Sequence, residues 1–253
     1  MMAAGAPLLR LDAVSKSFGG VRALAGISCV VGERQIVGII GPNGAGKTTL
    51  FNVITGAYHA DSGAVHFAER SITFWTPHQI ARAGMARTFQ NIRLFASMTV
   101  WEHLLVAQPH RELWARRLLP TRWADPAAQA RAEETLALLD LQSARERSAR
   151  ALPYGMQRRV EMARALTAGP RLLLLDEPVA GMNADEAAEV RALLLKLRER
   201  GLTILLIEHD MSFVMKLCDY LYVLDFGALI AQGTPDEIRT NPIVLDAYLG
   251  RED

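Results

Sequence analysis

The 253-residue sequence has few cysteines, no long apolar run and almost no net charge. Its two cysteines, Cys29 and Cys218, lie far apart and lack metal-site spacing, so we predict buried thiols in a reducing compartment. A net charge of +1 provides no basic field, and we predict no nucleic-acid partner. The apolar runs, such as LLLL at 172–175 and ILLI at 204–207, are far too short to span a bilayer. If the protein works at a membrane, another chain must therefore hold it there.

The amino terminus also lacks a basic segment followed by a long apolar stretch, so we predict no signal peptide. What is present is an ordinary globular composition, with 50% hydrophobic and 22% charged residues. The length suits one large domain, or one domain that carries an inserted subdomain.

Hydrophobic patterning predicts three regions along the chain. Residues 8–40 predict strands and turns, and residues 61–75 predict a short hairpin with its turn at Asp61-Ser62-Gly63. From about residue 77 to residue 168 the pattern is helical, and the last third alternates strands with helices. The pattern indicates an α/β protein with a mostly parallel sheet, a small antiparallel portion near the start and a helical insert.

Local sequence patterns predict individual strands and helix starts in the last third of the chain. The branched apolar runs at 171–177 and 202–209 predict strands covered on both faces. Asn183 and Glu186 have the spacing of a capping box at the start of a helix, and the Thr234 segment has the same pattern. Residues 220–233 predict a hairpin.

The sequence GPNGAGKT at 41–48, which we call the phosphate loop, follows a predicted strand and precedes a predicted helix. In that context its backbone N–H groups are expected to wrap phosphates, because glycines let the backbone approach closely. Lys47 supplies a positive charge to the β- and γ-phosphates, and Thr48 offers a hydroxyl to Mg²⁺. This pattern alone does not separate ATPases from GTPases, kinases or motor proteins.

Two carboxylates end the apolar run LLLL. Asp176 stands at the end of the predicted strand, which is the place for a carboxylate that helps to hold Mg²⁺. Glu177 follows and has the chemistry of a general base for an attacking water. The pair therefore helps to separate the nucleotide-binding classes, although Glu177 taken alone would also fit a solvated carboxylate at the end of a strand.

The segment LPYGMQRRVEMARAL, about twenty residues before LLLLDE, completes a set of motifs that resembles the ATP-binding-cassette (ABC) ATPases. The resemblance covers essentially the whole chain. It implies a single domain over residues 1–253 with a P-loop NTPase (RecA-like) core, an N-terminal antiparallel β portion and an inserted helical subdomain. The core is expected over 1–92 and 169–253, and the subdomain, with the signature motif, over 93–168.

The resemblance also assigns roles to individual positions. Phe18 is expected to stack on adenine, Gln90 to touch Mg²⁺ and the γ-phosphate side, and His209 to act as the switch histidine. Residues 180–183 match the D-loop. The implied catalytic residues are Lys47, Gln90, Glu177 and His209. The implied Mg²⁺ ligands are Thr48, Gln90 and Asp176. The implied phosphate contacts are Gly41, Pro42, Asn43, Gly44, Ala45, Gly46, Lys47, Thr48 and Thr49.

The signature segment, residues 152–156, departs from the family pattern Leu-Ser-Gly-Gly-Gln. Here it is Leu152-Pro153-Tyr154-Gly155-Met156, so only Leu152 and Gly155 agree. In the family this segment faces ATP bound to the opposite protomer, so the resemblance implies nucleotide contacts from residues 152–155.

Proline at position 153 removes a hydroxyl and an N–H donor, whereas the N–H of Gly155 and the following helix remain. One lost hydrogen bond to a charged acceptor is worth roughly 1.5–3 kcal/mol. Two interpretations stay open: an active subfamily variant, which we favour, or a weak signature that slows hydrolysis at the partner's site.

Four stretches together resemble the ATPase subunits of branched-chain amino acid importers. They are residues 41–56, 86–107, 152–159 and 207–238. That resemblance implies ATP and Mg²⁺ as cofactors. It also implies two transmembrane permease subunits, a second ABC ATPase and, indirectly, a periplasmic solute-binding protein. The place of action would be the cytoplasmic face of the inner membrane.

Other classes remain as alternatives. Urea or amide importers and lipopolysaccharide-export ATPases have similar motifs. The sequence does not separate these classes, because the resemblance implies that the transported solute does not touch the ATPase subunit. Soluble ABC ATPases of DNA repair, chromosome structure or translation typically carry arms, tandem cassettes or basic extensions that this chain lacks. A GTPase would need a guanine-reading Asn-Lys-x-Asp-type segment, which the sequence does not contain.

Overall fold

A computed structural model describes residues 7–88, 92–108 and 126–249. The chain folds into two compact units. The first consists of Met1–Arg87 and Arg171–Asp253, and the second of Thr88–Pro170. The first unit carries the strands of the predicted α/β pattern, and the second carries the predicted helical insert.

The first unit contains a four-stranded antiparallel sheet near the amino terminus. Its strands lie in the order β2-β1-β4-β5. They are β1 (Leu9–Phe18), β2 (Val21–Val31), β4 (Ser62–Phe67) and β5 (Arg70–Ser71). The antiparallel portion predicted from the sequence is therefore confirmed.

The hairpin turn predicted at Asp61-Ser62-Gly63 is wrong. Strand β4 already begins at Ser62, and the turn lies at Ala68 and Glu69, whose φ angles are +47° and +65°. Asp61 is instead tied to the neighbouring strand, where its carboxylate accepts hydrogen bonds from the Lys16 ammonium and a backbone N–H, both at 2.7 Å. This long-range anchor leaves no local signal in the sequence.

The first unit also contains a six-stranded sheet in the order β10-β9-β3-β8-β7-β6. Its strands are β3 (Ile36–Ile40), β6 (Met85–Arg87), β7 (Leu172–Asp176), β8 (Thr203–Ile207), β9 (Tyr220–Asp225) and β10 (Ala228–Gly233). Five neighbouring strands are parallel, and β10 is antiparallel to β9. Every residue of β3, β7 and β8 is buried, which explains why these segments are continuous apolar runs.

Within the described residues, six α-helices belong to the first unit. They are α1 (Lys47–Ile54), α2 (Pro77–Arg82), α6 (Ala184–Glu199), α7 (Met211–Leu217), α8 (Pro235–Arg239) and α9 (Pro242–Leu249). The capping box predicted at Asn183 is confirmed, because its side chain accepts the N–H groups of Asp185 and Glu186 at 3.0 Å. Such a cap contributes about 1 kcal/mol to helix stability. The capping box at Thr234 is also confirmed.

The core of the first unit lies around α1. Leu50, Phe51 and Ile54 of this helix are fully buried in one cluster with side chains of both sheets. Burying each such side chain contributes about 1.5–3 kcal/mol. The helix that starts at the phosphate loop is therefore held firmly along its length.

The second unit is helical in its described part. Its α-helices are α3 (Val100–Val106), α4 (Pro126–Leu138) and α5 (Tyr154–Thr167). The prediction of helix throughout 77–168 is wrong at residues 85–87, which form β6 beside β7 in the first unit. Three residues are too few to show a period of two. Within the residues that the structure describes, no helix is both long enough and apolar enough to cross a membrane.

Candidate nucleotide site

The phosphate loop connects β3 to α1, and two of its glycines are packed against other backbone segments. A Cβ atom at Gly41 would lie 2.0 Å from the carbonyl oxygen of Leu224, and one at Gly46 would lie 2.5 Å from that of Ala23. Their φ angles are +148° and +99°. Larger residues do not fit, so the close packing fixes the path of the loop.

The loop turns one side toward solvent. Asn43, Gly44 and Thr48 are exposed, Pro42 and Thr49 are half-buried, and Ala45 is buried. The Ala45 carbonyl accepts the N–H of Gly227 at 3.0 Å, which ties the inner side of the loop to the β9–β10 turn. The outer side, at the amino end of α1, therefore remains available to a ligand.

Lys47 is the first residue of α1 and is buried. Its ammonium group donates to the carbonyls of Gly41 at 2.7 Å and Pro42 at 2.9 Å. Burial lowers the pKa of Lys47, while the negative charges of Glu177 and Asp176 raise it. Burial is the larger effect, and both carboxylates are close enough for their charge to act on the ammonium group.

Asp176 ends β7 and is also buried. Its Oδ2 atom lies 2.8 Å from Nη2 of Arg87, at the end of the neighbouring strand β6. Arg87 donates with its other amino group to Asn52 of α1 at 2.7 Å. No role for Arg87 is predicted from the sequence, because nothing in the local pattern indicates that a three-residue strand carries it to Asp176.

Glu177 and His209 come together from the ends of β7 and β8. Nδ1 of His209 lies 3.7 Å from Oε1 of Glu177. Glu177 has a left-handed backbone, with a φ of +49°, and its N–H donates to the Ile207 carbonyl at 3.0 Å. The sequence-predicted residues Lys47, Asp176, Glu177 and His209 therefore share one region of the first unit.

Phe18, at the end of β1, is half-exposed. Its ring packs edge-on against Tyr58, with 5.1 Å between the ring centroids, and the Lys16 ammonium lies 5.5 Å from its centroid. This pair offers an accessible aromatic surface. Gln90 lies outside the described residues.

The signature segment begins α5 in the second unit. Leu152 is buried, Pro153 is the N-cap residue and Tyr154 is the first residue of the helix. Tyr154 is 49% exposed, and its hydroxyl accepts a hydrogen bond from Nε of Arg158 at 3.2 Å. The N–H groups of Tyr154, Gly155 and the next residue lie in the first turn, where no intrahelical acceptor exists for them.

Known proteins that are similar to this chain are ATP-binding proteins of ABC transporters. The ABC transporter family matches residues 24–180, and the branched-chain amino acid ATP-binding cassette transporter family matches residues 228–253. The high-affinity branched-chain amino acid transport ATP-binding protein BraF of Pseudomonas aeruginosa is 46% identical, covering 96% of this chain and 98% of that protein. The corresponding protein LivG of Escherichia coli is 44% identical over the same shares.

The solved structures that are similar to this chain are also ATP-binding cassettes of ABC transporters. An ATP-binding cassette of an ABC transporter in its ADP conformation is 34% identical, with a TM-score of 0.87, and the match covers 98% of this chain and 100% of that one. A nucleotide-free cassette from an ABC transporter is also 34% identical, with a TM-score of 0.85, and the match covers 96% of this chain and 99% of that one.

Proposed function

The chain belongs to the ABC transporter family as an ATP-binding ATPase subunit, and we propose that it powers an importer of branched-chain amino acids. Family membership confirms the resemblance drawn from the motifs and the predicted P-loop NTPase fold class. The observation that carries the proposed mechanism is that Lys47, Asp176, Glu177 and His209 all follow or end the parallel neighbouring strands β3, β7 and β8 at one edge of the sheet.

The proposed ATP site uses the phosphate loop for the triphosphate. Backbone N–H groups from Asn43 to Thr49 and the amino end of α1 attract the negative phosphates. Lys47 exchanges its carbonyl partners for the β- and γ-phosphates. Phe18 supplies the ring on which adenine stacks.

The residues present also fit a magnesium ion. Among the described residues, no three His, Cys, Asp or Glu side chains are grouped to hold a metal by themselves. Mg²⁺ in nucleotide sites is usually held by one or two protein oxygens together with the phosphates. Thr48 and Asp176 offer such oxygens, and Gln90 stays a prediction. When bound, the ion would neutralise charge on the β- and γ-phosphates.

We assign the hydrolytic step to Glu177 and His209. Glu177 takes a proton from the attacking water, whose oxygen forms the new bond to the γ-phosphorus while the bond to ADP breaks. His209, which is 60% exposed, faces the γ-phosphate and helps to orient the water. Lys47 balances the developing negative charge.

A second ABC ATPase completes each site in this proposal. The signature segment of one protomer offers the N–H groups at the start of α5 to ATP on the other. Those groups survive the replacement of serine by Pro153, which supports the active-variant interpretation.

Two permease subunits would hold the ATPase pair at the cytoplasmic face of the inner membrane, and a periplasmic binding protein would deliver the solute. The names of the relatives and the match over residues 228–253 favour branched-chain amino acids. Urea or amide import, lipopolysaccharide export and soluble ABC functions are the alternatives.

Glu177→Gln tests the hydrolytic assignment. We expect it to bind ATP with the parent affinity and to lower turnover by about 10²–10⁴-fold, the usual contribution of a general base. The matched control Glu199→Gln alters an exposed glutamate at the end of α6 and is expected to retain turnover. Near-normal hydrolysis by Glu177→Gln would refute the assignment.

The solute is tested separately by reconstituting the chain with its permeases and binding protein in liposomes. ATP-dependent uptake of leucine, isoleucine and valine is expected. Uptake of urea instead, with no uptake of leucine, would move the chain to the alternative importer class.

A further inference from the structure

A buried glutamate stands directly before the switch histidine. Glu208 follows β8 and has no exposed surface, although it is a carboxylate. Its Oε1 atom accepts the N–H of Val179, and its Oε2 atom accepts the N–H of His209, both at 3.1 Å. Burial raises the pKa of this carboxyl group, whereas the backbone N–H groups of Val179, His209 and Asp210 lower it.

The hydrogen bond from Val179 joins two separate loops, whereas the one from His209 lies within the loop to which Glu208 itself belongs. Val179 lies two residues after Glu177, in the loop that leaves β7, and His209 lies in the loop that leaves β8. One carboxylate thus ties the loop that carries Glu177 to the loop that carries His209. The second tie is the hydrogen bond from the Glu177 N–H to the Ile207 carbonyl at 3.0 Å.

The conformation of Glu177 makes such ties necessary. A φ of +49° is uncommon for a glutamate and persists only where the surroundings hold it. Its carboxylate also needs a defined place, since a general base must lie within hydrogen-bond reach of the water proton. A displacement of about 1 Å in such a group is enough to slow a reaction by about 10²-fold.

We propose that Glu208 is a positioning residue for ATP hydrolysis, which uses its two carboxylate oxygens to set the distance between Glu177 and His209. This inference rests on the roles assigned to those two residues under the proposed function. Glu208 does not touch the nucleotide. It acts only through the two loops that it connects.

Glu208→Gln separates positioning from general support of the fold. The amide keeps one acceptor oxygen but turns an N–H group toward the other contact, so the backbone N–H of either Val179 or His209 loses its acceptor. We expect kcat to fall by about 10- to 100-fold, with the Kd and KM for ATP within about twofold of the parent values.

Asp219→Asn is the matched control. Its carboxylate also accepts a backbone N–H, that of Ile36 at 2.8 Å, together with a hydrogen bond from Arg198 at 2.7 Å. It lies at the opposite end of the strands from the phosphate loop, before β9. The same change from acid to amide is expected there to leave kcat within about twofold of the parent value.

Glu208→Asp supplies the rescue, because it retains two carboxylate oxygens on a shorter side chain. We expect it to recover part of the kcat that Glu208→Gln loses. A Glu208→Gln variant with the kcat of Asp219→Asn would overturn the inference. So would a loss of ATP affinity equal to the loss of kcat, because that result indicates a general structural role.

These outcomes differ from a failure of the proposed function itself. If the parent protein does not hydrolyse ATP, or if Glu177→Gln hydrolyses it normally, the roles of Glu177 and His209 are wrong. If those roles hold and Glu208→Gln is unimpaired, only the inference about Glu208 is wrong.

Discussion

The ion pair between Arg87 and Asp176 provides a direct measure of what burial does to an ionic contact in this protein. Its N–O distance is 2.8 Å, and the two side chains are only 9% and 6% exposed. The pair between Arg171 and Glu33 has nearly the same distance, 2.7 Å, but its side chains are 52% and 58% exposed. Replacing each arginine by methionine removes the charge and keeps much of the aliphatic volume.

The expected costs differ because water screens only the exposed pair. Arg87→Met removes the cation that donates a hydrogen bond to the buried carboxylate of Asp176, which costs about 3–5 kcal/mol of the free energy of unfolding. Lys47 stays nearby, but its ammonium group donates to the carbonyls of Gly41 and Pro42. It also removes the hydrogen bond to Asn52 at 2.7 Å and the stacking of the guanidinium on Phe51, 5.4 Å from its centroid. Arg171→Met is expected to cost about 0.2–1 kcal/mol.

Urea unfolding followed by circular dichroism measures both costs, and thermal unfolding provides a second measurement. A loss of about 3–5 kcal/mol corresponds to a decrease in Tm of about 6–20 °C for a chain of this size. Adding Asp176→Asn to Arg87→Met removes the buried carboxylate that has lost this hydrogen bond and should recover part of the loss. Equal costs for Arg87→Met and Arg171→Met would show that burial of the pair does not determine its contribution.

Two further predictions concern the cysteines and the signature segment. Burial raises the pKa of Cys29 to about 12 and also raises the pKa of Cys218. Neither thiol should therefore react with a disulfide reagent at about pH 8 in the native protein, and both should react after unfolding. Rapid labelling of the native protein would contradict this prediction. Pro153→Ser should leave ATP turnover of the paired ATPases within about twofold of the parent value, because the N–H groups at the start of α5 already provide an anion site. A severalfold increase would show instead that the signature segment limits hydrolysis.

The features that are predicted well from the sequence depend only on residues that are close together in the chain. The capping box at Asn183 needs only Glu186, three positions later, and the strand 172–176 needs only its own apolar run. The phosphate loop is equally local, because its glycines stand between a strand and a helix. The place of Lys47 at the start of α1 therefore follows from the residues on either side of it.

The features that the sequence did not reveal depend on distant partners. Arg87 pairs with Asp176 on the neighbouring strand, and Glu208 accepts a hydrogen bond from Val179 in the neighbouring loop, although the partners are far apart in the chain. Neither residue has a spacing pattern that indicates its partner. The turn at Ala68 and Glu69 was missed for a different reason, since neither residue is typical of left-handed turn positions.

The central position of β3 also bears on how the protein is made. Strand β3 is paired with β8 on one side and β9 on the other, and Gly41 rests against the carbonyl of Leu224. Strands β8 and β9, and Leu224 within β9, are synthesised long after β3. At roughly 5–20 residues per second, the intervening stretch of about 180 residues takes about 10–40 s to synthesise.

During that interval Gly41 of the nascent phosphate loop lacks the carbonyl of Leu224, although Ala23, which packs against Gly46, has already been made. The apolar strand β3 also lacks partners on both edges until β8 is made. We therefore expect a nascent chain that ends before β9 to bind no nucleotide and to need protection from aggregation. ATP would then stabilise the completed chain and not assist its early folding.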